Sequence, residues 1–157
     1  MQHLHPSRHG HPTIALNRLA WSATLHCLTG CSIGEVLGML VGTTLAWTNT
    51  QTIAISVALA FVFGYALTMR PLLKSGEGFA KAAKLAFASD TASITIMEIV
   101  DNVVMLVVPG AMGASLGSAL FWGSLAGSLV LAAIAAYPVN RWLIARGRGH
   151  AVVHAHH

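Results

Sequence analysis

Residues 19–47, LAWSATLHCLTGCSIGEVLGMLVGTTLAW, decide what kind of chain this is. The stretch holds no lysine or arginine and a single carboxylate, Glu35. Crossing a hydrocarbon core of about 30 Å takes roughly 20 helical residues, which this run exceeds. Trp21 and Trp47 stand near its two ends, where indole rings suit the two membrane–water interfaces.

The rest of the chain repeats the pattern. Hydrophobic residues make up 55% of the 157 and charged residues 9%, against about 25% charged in an ordinary soluble domain. Mean hydropathy is +0.66. So few charges do not cover the surface of a soluble fold of this size. A second span is expected over about Thr52 to Met69, ending at Arg70-Pro71. A third is expected from about Asp90 to Val108, stopped by Pro109-Gly110, and a fourth from about Leu120 to Tyr137, where Pro138 breaks the run. Between spans two and three, PLLKSGEGFAKAAKLAFAS mixes Phe79, Leu85 and Phe87 with Lys81 and Lys84. It predicts a loop and a short amphipathic helix on the cytoplasmic membrane surface. The expected fold is all-α: a bundle of four transmembrane helices over residues 19–142, with histidine-rich tails at 1–18 and 143–157.

All nine lysines and arginines lie before the first span, between spans two and three, or after Tyr137 at the end of the fourth. The other two loops contain none. Basic residues mark the cytoplasmic side, so both tails are expected there, and an even number of spans agrees. The formal charge of +4 flanks apolar runs and forms no continuous stripe, which argues against a nucleic-acid partner. The first eighteen residues lack the apolar core and cleavage site of a signal peptide.

Gly30, Gly34, Gly38 and Gly42 recur every four residues in the first span and therefore share one helix face. Such a groove lets two helix backbones approach closely in lipid. It serves packing within the chain or, alternatively, a homo-oligomer or another membrane protein. Gly123 and Gly127, with Ser124 and Ser128, form a weaker version in the fourth span.

Four of the five carboxylates, Glu35, Asp90, Glu98 and Asp101, fall within expected spans. An ionised side chain at a span centre costs roughly 2.5–3.5 kcal/mol even on a lenient scale. Three of them near mid-membrane therefore require protons, a hydrated cavity or a bound cation. Cys27, Cys31, Glu35 and Met39 line one stripe of the first span, about 100° round from the glycines, with His26 beside its cytoplasmic end. Asp90, Met97, Asp101 and Met105 share a face of the third span, with Glu98 and Asn102 one step round. Both spans start on the cytoplasmic side, so Glu35 is expected to approach Glu98 and Asp101. His26, Cys27, Cys31 and Asp90 would then form a mouth leading to a carboxylate centre. Thiol and imidazole suit copper or zinc, while carboxylates also take harder ions and protons. Against this, buried cysteine is commonly a small hydrophobe, and aspartate commonly caps a helix start. The tail histidines His3, His5, His9, His11, His150, His154, His156 and His157 offer further metal donors. No nucleophile–base pair, P-loop or dinucleotide fingerprint points to an enzyme.

The strings LHCLTGCSIGEVLGM (25–39), FGYALTMRPLL (63–73), MEIVDNVVMLVVPGAM (97–112) and FWGSLAGSLVLAAIAAYPVNRWLIARGRGHAVVHAHH (121–157) resemble the bacterial domain-of-unknown-function family numbered 4396. The resemblance runs from about Leu19 to His157. It implies an integral membrane protein, with some members labelled copper-associated, and no established reaction. The expectation is therefore a multi-pass protein of the bacterial inner membrane that binds or transports a cation, a transition metal such as copper first. The alternative is a non-catalytic assembly subunit docking through its glycine-ladder helix. Topology is directly testable: reporters active only in the cytoplasm should be active when fused at either terminus, and reporters needing export should be active only in the 48–51 or 113–117 turns.

Overall fold

A computed structural model describes residues 12–146, and the tail histidines lie outside them. Within those residues the chain forms four α-helices and no strand: α1 (Pro12–Thr44), α2 (Asn49–Lys74), α3 (Phe79–Val107) and α4 (Ala119–Ala145). α1, α2 and α4 are long and apolar enough to cross a membrane. The helices run up and down in a ring, with α1 between α2 and α4 and α3 completing the ring. α1 and α3 are parallel and meet only across the bundle interior.

Two turns are tightly closed. Thr48 accepts the Gln51 amide while the Gln51 side chain reaches back to the Thr48 amide, which satisfies two donors at the start of α2. Ser118 caps α4 by accepting the Phe121 amide at 3.1 Å. Gly76 takes a φ of +89° just past the end of α2, a conformation that favours glycine.

The α1–α2 contact is built from small residues on both sides. A Cβ added at Gly30 would lie 2.6 Å from the Gly64 Cα, and one at Gly34 2.2 Å from the Ala60 nitrogen. One at Gly38 would lie 2.5 Å from the Ser56 Cα, and one at Gly42 2.2 Å from the Thr52 hydroxyl oxygen. The buried residues of α2, Thr52, Ser56, Ala60, Gly64, Thr68 and Leu72, themselves recur every four residues. The two rows mesh antiparallel. The glycine groove is thus filled by α2 of the same chain and offers no face to a second copy or a partner. Added Cβ atoms at Gly123 and Gly127 meet nothing within 4 Å, so that weaker pair makes no such contact.

Several boundaries differ from the expectations. α1 starts at Pro12 rather than near Leu19 and ends at Thr44 rather than Trp47. The separate amphipathic helix is instead the first turns of α3, which continues unbroken from Phe79 to Val107. Neither proline nor glycine interrupts that stretch, and Ala82 and Ala86 are buried, with Ala82 against Leu72. Asp90 accordingly lies well inside α3, whose cap is Gly78, and does not cap the helix. Pro71 and Pro138 both lie inside helices. Each removes one backbone donor, yet α2 runs on to Lys74 and α4 to Ala145.

Because the neighbour of Gly34 is main chain, Gly34→Leu should force α1 and α2 apart and destabilise the protein by about 3 kcal/mol. Ala60→Gly should not rescue it. Gly127→Leu should be close to neutral. Thermal unfolding of the three detergent-purified variants reads all three outcomes.

Candidate functional site

The mesh with α2 sets the rotation of α1. With the glycine row turned to α2, the row one residue on faces the bundle interior. Cys27, Cys31, Glu35 and Met39 are all buried there. On α3, Asp90, Met97, Glu98, Asp101 and Met105 are buried as well, leaving Ile99, Val103, Leu106 and Val107 exposed outside. The two acid-bearing faces look at each other.

Three carboxyl groups converge at one level. Glu35 faces Asp101 and Glu98, with Ser56 of α2 beside it. The Asn102 amide donates to Glu35 Oε1 at 3.5 Å and to the Glu98 carbonyl at 2.9 Å. Ser128 of α4 donates to Asp101 Oδ1. All four helices therefore supply a residue. The Cys31 thiol approaches Glu98, yet neither Glu98 oxygen, nor Asp101 Oδ2, completes a well-formed hydrogen bond among the described residues. No lysine or arginine is buried among those residues. Buried acceptors in this state are costly unless a proton or cation joins them.

A second polar level lies toward the chain termini. Cys27 sits near Asp90 and Ser93, and Ser89 donates to Asp90 Oδ1 at 2.7 Å. The Asn140 amide donates to Thr24 and to Ser93, each at 3.0 Å, tying α4 to α1 and α3. Cys27, Cys31 and Glu35 thus climb the interior in steps of about 6 Å, paired in turn with Asp90, Glu98 and Asp101. Beyond the acids, toward the α1–α2 turn, the interior closes on an apolar cluster of Met39, Met105, Ala111, Phe121 and Leu125.

The expected residues do not all join. His26 is half-buried and belongs to the helical row of Gly30 and Gly34, which faces α2, so it stands apart from the Cys27–Cys31 stripe. Among the described residues, no three of His, Cys, Asp and Glu form a group that would hold a metal ion by themselves. Met39, Met97 and Met105 are packed in core clusters. Asn140, Ser93, Ser56 and Thr24 were not singled out by the sequence. One signal was present: Ser124, Ser128, Ala132, Ala136 and Asn140 recur every four residues, and become one face once α4 is carried past Pro138.

Comparison with known proteins adds the family and little else. No curated protein and no solved structure is significantly similar to the chain. Residues 17–149 match the family described as Domain of unknown function (DUF4396), a span that includes α2, α3 and α4, α1 from Asn17 onward, and both polar levels. The chain belongs to the DUF4396 family.

Proposed function

We propose that this is a four-span membrane protein that binds a cation inside its bundle and passes it along the α1–α3 diagonal. The observation that carries this is the convergence of Glu35, Glu98 and Asp101: among the described residues, both Glu98 oxygens and Asp101 Oδ2 make no well-formed hydrogen bond, and no lysine or arginine is buried. In hydrocarbon such a group is neutralised by protons or by a bound cation. α3 serves as the remaining span: at 29 residues it is long enough, and its acids face inward.

The central site is Glu35, Glu98 and Asp101. Cys27, Cys31 and Asp90 form the approach, with His26 at its edge and the histidine tails on the same, cytoplasmic, side. Thiol beside carboxylate favours a transition metal such as copper or zinc as cargo, with protons exchanging at the acids. Each level presents a pair or trio of donors spread over two helices, which suits a transient stop better than a closed structural site.

A second function rests on a different observation. Ser128 bonds to Asp101 and Asn102 to Glu35 across helix boundaries, so the acids also tie helices together, as in a non-catalytic subunit of a membrane complex. The two are separated by Glu35→Gln and Asp101→Asn, which keep shape and remove charge. Protein purified without chelators or metal resin should lose roughly tenfold or more in copper affinity and in copper flux into proteoliposomes. Cys27→Ser with Cys31→Ser should weaken both. Unchanged metal content and flux in all these variants, with only earlier unfolding, would leave the acids as helix-to-helix ties and sink the cation site.

A further inference from the structure

The outer face of α2 carries an amphipathic groove of about 660 Å³, running toward the start of α3. Its apolar wall is Val62, Ala66, Met69 and Leu73, and Tyr65 and Phe79 add two rings. The Tyr65 hydroxyl is held by Thr91 at 2.8 Å, so its polar tip is already engaged on α3. At one end the groove meets Arg70 and Lys74, both exposed. From Val62 to Lys74 the helix rises about 18 Å, close to the roughly 15 Å of one hydrocarbon leaflet. The cations therefore stand where a headgroup lies when the apolar wall is at acyl-chain depth.

We propose that this groove binds one anionic phospholipid, with an acyl chain along Val62, Ala66 and Met69 and its phosphate between Arg70 and Lys74. The site rests on α2 crossing a bilayer and is independent of the cation reading. Like charges at i and i+4 repel, and a phosphate set between them turns that repulsion into attraction. The guanidinium fork matches two phosphate oxygens, while the ammonium acts as a point charge. Glu77, the nearby carboxylate, is engaged by Lys81 at 2.8 Å. A zwitterionic lipid brings its own cation to this pair and fits it less well. Basic pockets beside transmembrane helices recognise anionic headgroups in the same way.

Delipidated full-length protein would be titrated with phosphatidylglycerol or phosphatidylcholine and read by native mass spectrometry, with thermal unfolding in parallel. The wild type should bind one phosphatidylglycerol roughly thirtyfold more tightly than phosphatidylcholine, a gain of the size two interfacial cations provide. Arg70→Gln with Lys74→Gln should abolish that preference. Ala66→Trp, which fills the groove and keeps both charges, should lose the bound lipid. Lys84→Gln, a control at an exposed lysine outside the groove, should change nothing. Equal binding of the two lipids, an equal loss in Lys84→Gln, or equal stabilisation by glycerol phosphate without an acyl chain would overturn the proposal.

Discussion

Helices in a bilayer gain little by hiding apolar surface from one another, so close backbone packing has to supply the attraction. Here that attraction is the contact of Gly30, Gly34, Gly38 and Gly42 with Gly64, Ala60, Ser56 and Thr52. Its effect reaches beyond two helices. By holding one face of α1 against α2, it turns the face 100° away toward α3, and with it Cys27, Cys31 and Glu35. A bulkier residue in either row would rotate or lift α1 and carry the acid and both thiols out of line with Glu98 and Asp101.

The two polar levels inside the bundle differ in how far they satisfy themselves. At the level of Asn140, the amide reaches both Thr24 and Ser93, a neutral network that ties three helices. At the level of Asp101, one oxygen is bonded by Ser128, while the other and both of Glu98 make no well-formed hydrogen bond among the described residues, with Glu35 and the Cys31 thiol beside them. Buried polar groups in folded proteins are overwhelmingly paired. Among the described residues, the layer of acids departs from this. The apolar cluster around Phe121 separates this layer from the α1–α2 turn, while the thiols lie on its other side.

Much of the architecture was legible because hydropathy and small-residue spacing act locally. The glycine row, the inward acids and the tight turns could be read from residue types alone. The α2 half of the mesh could not: Thr52, Ser56 and Ala60 are unremarkable in an apolar helix until their antiparallel partner is known. Lys81 and Lys84 suggested a surface helix, but helical continuity from Phe79 is decided by the absence of any breaker and by Ala82 packing on Leu72. Proline misled for a related reason. Pro71 and Pro138 each cost their helix one backbone donor, yet buried residues beyond them, Leu72 in α2 and Asn140, Leu143 and Ile144 in α4, keep the helix going. Stopping α4 at Pro138 hid Asn140.

The repeat of the α1–α2 mesh also governs how the pair moves. Glycine faces have no side-chain rotamers to yield, so a small axial slide drives backbone onto the flank of the next rung. Contact is regained only after a full four-residue step of about 6 Å. The two helices behave as a toothed rack seated in a detent, stiff against creeping displacement and indexed in whole turns.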